Sequence, residues 1–256
     1  MSLSAAQVAA LRELDEQWPE AKNVIIGATA LGFYYEMRWR QTADVDLALA
    51  IELRDFPGAL PERPGWKRHP KKQHEFRSPQ GVKIDILPAG PGLLDAGQIA
   101  WSGEQVMSLA GMDLAFRYAE QRKVVHGYTA SVAPPRVIAV LKMTAYCDRP
   151  AERERDLEDI AHLLATYVDD DSDRRWDEAV DQEFDLAPAY LMGLDVGRTL
   201  ETESHRAIVE RFMSRVEDSE SPIHAQMLRR GPATWRREEN ALARRLAVFK
   251  LGLEGG

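Results

Sequence analysis

The stretch "RQTADVDLALAI", Arg40 to Ile51, sets two aspartates one residue apart inside an otherwise apolar run. Side chains on a strand alternate between faces. Val45, Leu47, Leu49 and Ile51 therefore share one side, and Asp44 and Asp46 share the other. The same phase recurs in "VKIDILP", Val82 to Pro88, where Val82, Ile84 and Ile86 lie opposite Lys83 and Asp85. If the two strands are neighbours, three aspartates converge on one sheet face. Carboxylates that close repel one another unless a cation sits among them, and a hard divalent ion such as Mg²⁺ or Mn²⁺ suits oxygen ligands. A pair of such ions about 3.5 to 4 Å apart clamps the attacking and leaving oxygens of a displacement at phosphorus. The pattern points to phosphoryl or nucleotidyl transfer, with Asp44, Asp46 and Asp85 as metal ligands.

Upstream, "NVIIGATALGFYYEMRWRQT" reads as an apolar strand, a turn at Gly27 and a helical run whose first residues are small. A glycine between strand and helix lets backbone N–H groups approach a phosphate closely. Downstream, "HEFRS" and "VKIDILP" flank the turn "SPQG", which predicts an antiparallel hairpin, and "TASVA" reads as a further strand. From Pro134 onward the period is helical, in "PPRVIAVLKMTAYC", "ERERDLEDIAHLLATYV", "SHRAIVERFMSRVE" and "WRREENALARRLAVFKLGL". The expected fold is α/β (α+β): a mixed sheet flanked by helices over residues 1–133, followed by a helical bundle over 134–256 that completes the site.

Composition narrows the function classes. With 45% hydrophobic residues in 256, the chain can build a real core. Its net charge of -8, from 33 Lys+Arg against 41 Asp+Glu, argues against a protein that coats nucleic acid non-specifically. Two local basic stretches, "WKRHPKKQH" (Trp66 to His74) and "RRGPATWRREENALARR" (Arg229 to Arg245), read as solvated surface. Cys147 is the single cysteine, so neither an internal disulfide nor a cysteine zinc site is available. The longest nearly apolar run, Val24 to Tyr35, is about 12 residues against the roughly 20 of a membrane helix, and no secretory start is visible. A cytoplasmic protein without a membrane partner is expected.

The order of strand, Gly-containing turn, Arg-x-Thr-x-Asp-x-Asp and a later hydrophobic-Asp-hydrophobic strand resembles the DNA polymerase β type nucleotidyltransferase superfamily. Together with "PPRVIAVLKMTAYCDRPAERERDLEDIAHLL", it looks like the AbiEii/AbiGii toxin-type branch, over roughly Asn23 to Val168. The resemblance implies transfer of a nucleoside monophosphate from an NTP to a hydroxyl, with pyrophosphate released. On that mapping Asp44 and Asp46 ligate both Mg²⁺ ions, while Asp85 ligates the catalytic ion and helps deprotonate the acceptor. Gly27, Ala28 and Thr29 cradle the triphosphate, Arg40 and Thr42 position the loop or the phosphates, and Lys142 neutralises nucleotide charge. Asp156 matches the aspartate that follows the Arg-containing break, with Asp159 one turn beyond. The family usually has Gly-Gly or Gly-Ser at the turn, so here the hydroxyl stands one residue along.

The resemblance further implies a toxin with a cognate antitoxin, and an acceptor that is RNA, such as a tRNA end, or a protein side chain. Two other functions fit the same residues: an antibiotic-type nucleotidyltransferase acting on a small hydroxyl compound, and an inert binding module. The acidic balance favours the first of these, and the intact aspartates disfavour the second.

Overall fold

The computed structural model describes residues 3–39, 42–102, 106–124 and 127–256. The chain divides into two compact units, 1–138 and 139–256.

In the first unit, α1 (Ala5–Gln17) is started by a capping box, in which the Ser4 hydroxyl accepts from the Gln7 N–H while the Gln7 side chain accepts from the Ser4 N–H. A sheet follows, built from β1 (Asn23–Ile26), β2 (Val45–Leu49), β3 (Lys67–Arg68), β4 (Glu75–Arg77), β5 (Lys83–Pro88), β8 (Glu120–Val124) and β9 (Tyr128–Val132). Its seven strands run in the order β3-β4-β5-β2-β1-β9-β8. β2 and β5 pair in parallel, as do β1 and β9, and the remaining neighbours are antiparallel, so the sheet is mixed. The expected β4/β5 hairpin is present. A separate hairpin joins β6 (Gln98–Ala100) to β7 (Val106–Ser108), and the short helices α3 (Pro91–Ala96) and α4 (Met112–Tyr118) flank it in sequence.

Apolar alternation makes the strands. Val45, Leu47, Ile84 and Ile86 are completely buried, whereas Asp46, Lys83 and Asp85 keep partial access to solvent. One expectation is cut short. The helical run after Gly27 is α2 (Gly27–Leu31), five residues only. It ends where bulky rings take over. Tyr34 lies under the Arg122 guanidinium at 4.4 Å and donates to Glu120, which ties this segment to β8 rather than to a longer helix.

α5 (Pro135–Asp148) spans the division between the units, and the second unit is helical. It holds α6 (Glu154–Thr166), α7 (Arg174–Asp177), α8 (Ala187–Thr199), α9 (Glu203–Val216), α10 (Pro222–Arg230) and α11 (Ala241–Gly255). The last helical pattern in the sequence is interrupted: residues 233–237 form a 3-10 turn, and Asn240, at φ 54°, precedes α11. Asparagine enters this left-handed region more readily than most residues.

α8 and α11 meet backbone to backbone. A Cβ on Gly193 would stand 2.0 Å from the Phe249 carbonyl oxygen, and one on Gly252 would stand 2.1 Å from that of Tyr190. Gly197 and Gly256, each four residues further along, are crowded less severely, with a Cβ 2.7 Å from the Leu253 carbonyl oxygen and 2.5 Å from that of Leu194. Only glycine allows that approach.

Candidate active site

Register brings the predicted carboxylates into one row. Asp46 on β2 pairs with Asp85 on β5, and Asp85 pairs with Glu75 on β4. On the other side Asp46 pairs with Ile26 at the end of β1, next to Gly27. Paired residues point to the same face. Three strands thus deliver Glu75, Asp85 and Asp46 to one line, which ends at the glycine turn after β1. Glu75 was not among the residues singled out from the sequence. Its signal was there, since "EFR" alternates in the same phase as "KID", with Phe76 buried between two polar neighbours.

Asp44 stands just before β2, one step back from Asp46 on the same side. Its carboxylate accepts from Lys83 Nζ at 2.9 Å. The same ammonium lies 3.6 Å from Asp85 and 3.6 Å from Glu75. Burial alone would lower the Lys83 pKa, but the hydrogen bond to Asp44 and the charges of Asp85, Asp44 and Glu75 push it up to about 12. Lysine therefore stays charged and provides positive charge at the centre of the acidic cluster.

Gly27 is fixed by geometry as well as by sequence. Its φ is +66°, and a Cβ there would fall 2.2 Å from an Asp46 carboxylate oxygen. The carboxylate occupies the space a side chain would need. Thr29 is buried, and its hydroxyl donates to the carbonyl of Asp44, tying the turn to the loop that carries the aspartates. That hydroxyl is engaged inside the protein, and Ala28 and Thr29 are both buried. Gly27→Ala is expected to cost about 1–2 kcal/mol in backbone strain and to displace the Asp46 carboxylate. A melting temperature and transfer rate equal to wild type would disprove this packing.

Thr42 is half-buried two residues ahead of Asp44. Arg40 lies outside the described residues.

Asp85 carries the clearest mark of an incomplete shell. Its Oδ1 is buried and has no hydrogen-bond partner. Burial first, then the charge of Asp46, raises its pKa from the ordinary 3.8 to about 6, against the opposing pull of Lys83. Between those pH values the folded chain keeps a proton that the unfolded chain has released, so this group lowers stability as pH rises. By neutral pH the penalty is at most about 3 kcal/mol. In EDTA at pH 7.5, Asp85→Asn should melt above wild type, and the advantage should shrink towards pH 4. Identical melting curves throughout would contradict the buried charge.

Hard oxygen donors, an orphaned buried carboxylate oxygen and a glycine that leaves room for a carboxylate are a donor set that fits Mg²⁺ or Mn²⁺. The side chains are not preassembled around such an ion. Among the described residues no three Asp, Glu, His or Cys groups stand close enough together to hold a metal, and Lys83 is the cation between Asp44 and Asp85.

Lys142 and Asp156 sit in the second unit, away from solvent. Lys142 Nζ is 2.9 Å from Asp156 and 2.6 Å from Asp159, and all three residues are buried. Burial opposes the charge on Lys142, but the two carboxylates win and its pKa is raised. "ERERDLED" has the charge of a solvated surface, but Asp156 and Asp159 are buried. Both lie on the face of α6 that also buries Leu157, Ile160 and Leu164, at the three-residue spacing that keeps them on one side. Asp156 Oδ2 is buried without a hydrogen-bond partner.

Comparison with known proteins follows the same line. The sequence matches the family described as "Nucleotidyl transferase AbiEii toxin, Type IV TA system" over residues 9–236. No curated protein matches it. Among solved structures, an antigenic nucleotidyltransferase-like protein from Paracoccidioides brasiliensis is similar at 12% identity and a TM-score of 0.42, over 89% of this chain and 94% of that one. The family match spans most of the sequence, from within α1 to the turn before α11, and includes both the carboxylate row and the Lys142 cluster. The chain belongs to the AbiEii nucleotidyltransferase toxin family.

Proposed function

We propose that this nucleotidyltransferase moves a nucleoside monophosphate from an NTP to a hydroxyl group of RNA, such as a tRNA end, or of a protein side chain, as the toxin of a toxin–antitoxin pair. The observation that carries this reading is the row Glu75, Asp85, Asp46 ending at Gly27, because it gathers carboxylates where a phosphate turn begins.

Asp44, Asp46 and Asp85 would hold Mg²⁺ or Mn²⁺, which when bound neutralises phosphate charge and stabilises the oxygens at phosphorus. Asp85, its pKa raised to about 6, is poised to accept a proton near neutral pH. The acceptor hydroxyl gives its proton to Asp85, the freed oxygen forms a bond to the α-phosphorus, and the bond to pyrophosphate breaks. The backbone of Gly27, Ala28 and Thr29 would line the triphosphate, and the family likeness gives Arg40 and Thr42 the positioning of the loop or the phosphates. Lys142 and Asp156 enter this reading through the family likeness. For Lys142 to neutralise a nucleotide it must give up one of its two carboxylates.

Incubation with each labelled NTP, Mg²⁺ and total cellular RNA or lysate tests the proposal. Label should pass to RNA or protein with wild type. Label on a small molecule would replace the acceptor with the antibiotic-type reading, which the net charge of -8 favours. No transfer to any acceptor, together with no thermal stabilisation by Mg-NTP, would leave an inert module.

A further inference from the structure

The ammonium of Lys83 bridges carboxylates from three places in the fold: Asp44 before β2 at 2.9 Å, Glu75 on β4 at 3.6 Å and Asp85 on β5 at 3.6 Å. Among the described residues no other lysine or arginine pairs with Asp44 or Asp85, and Lys72, on the margin, reaches Glu75 alone at 3.4 Å. Lys83 shares its strand face with Asp85, so its stem starts inside the site and not at its edge. Its side chain is about a quarter exposed, which leaves the ammonium a route outward.

We propose that Lys83 is an internal counter-cation that holds the carboxylates of the metal-free enzyme and must be displaced when a divalent ion enters. This rests on the metal-dependent reading above. A single positive charge among Asp44, Glu75 and Asp85 relieves their mutual repulsion, which explains how neighbouring strands can carry carboxylates on one face without a metal to unite them. It also sets an order of events. A free divalent ion must evict an ammonium already hydrogen-bonded to Asp44. An ion arriving with a triphosphate brings negative charge that can receive that ammonium as it leaves. The metal is then taken up with the nucleotide rather than ahead of it, and Lys83 acts as a positioning residue, governing metal entry and not the proton transfer.

The test is Mn²⁺ binding to the full chain without nucleotide, by calorimetry and by the paramagnetic resonance of free Mn²⁺. Lys83→Met should bind Mn²⁺ at least about tenfold more tightly than wild type, and Lys83→Arg should stay within about threefold of wild type. Lys72→Met removes a positive charge from the rim of the same cluster, and it should change the affinity by less than about threefold. Should Lys83→Met be too unstable to purify, Lys83→Gln serves, read as a larger rise in melting temperature on adding Mn²⁺ than wild type shows.

A Lys83→Met affinity equal to or weaker than wild type overturns the proposal. So does an equal gain in Lys72→Met, which would make the effect one of overall charge. If Asp46→Asn abolishes Mn²⁺ binding while Lys83→Met leaves it unchanged, the metal site stands and only this inference falls. If neither wild type nor Lys83→Met binds Mn²⁺, with or without NTP, the metal-dependent reading falls and takes this inference with it.

Discussion

Asp46→Asn is expected to lower nucleotidyl transfer by about 10³-fold while the protein stays folded. On the proposed reading Asp46 helps hold the metal, and losing a charged ligand would remove several kcal/mol of transition-state stabilisation, about 4 kcal/mol corresponding to that factor. Folding should survive because the Asp46 charge opposes ionisation of its neighbour Asp85 in the metal-free chain. It faces Asp85 across β2 and β5, and its charge is the second cause, after burial, of the raised Asp85 pKa. The Asp85 carboxyl in Asp46→Asn should therefore titrate below about 6, as carboxyl ¹³C shifts would report. Label transfer and a melting curve measured on the same preparation separate the two effects. Transfer within threefold of wild type would remove Asp46 from the reaction.

Lys142→Met should have the largest effect on stability, a loss of about 3–5 kcal/mol. The substitution leaves Asp156 and Asp159 buried without their cation, and one of them must take up a proton or the helices must part. The folded pKa of Lys142 is raised, so its contribution is present throughout the neutral range and fades only as pH climbs through the alkaline folded value. Neutralising the whole cluster, with Lys142→Met, Asp156→Asn and Asp159→Asn together, should recover much of the loss, since no unpaired charge then remains. The recovered triple variant answers a second question. If it folds and transfers at the wild-type rate, Lys142 is a brace between α5 and α6. If it folds and is inactive, Lys142 or Asp156 contributes to transfer as well. A single Lys142→Met variant as stable as wild type would contradict the buried triad.

Strand phase was the most legible part of the sequence. Period-two alternation in "DVDLAL" and "KIDIL" is enforced by burial on one face, so Asp46, Lys83 and Asp85 could be placed on the other before any coordinates. The β2/β5 neighbourhood that unites them could only be conditional, because a parallel pair is joined by a long crossover with no local turn signal. Lys83 illustrates a different limit. Its face was readable, but an ammonium that reaches three strands is set by side-chain rotamer and sheet order, neither of which has a periodicity. The burial of Asp156 and Asp159 was unreadable for a related reason. In a run as charged as "ERERDLED", helical spacing gives the pairs on one side of α6 but not which side meets water. The end of α2 escaped because the aromatic residues after Leu31 have acceptable helical character, and their anchoring on β8 is tertiary.

The glycine contact between α8 and α11 bears on the order in which the chain can mature. Gly193 and Gly197 leave the ribosome well before Gly252 and Gly256, and until those follow, the bare stripe of α8 has no surface that can approach it so closely. The helical unit therefore depends on α11 to cover α8. A chain interrupted between the two glycine stripes would carry a complete carboxylate sheet and an open helical half.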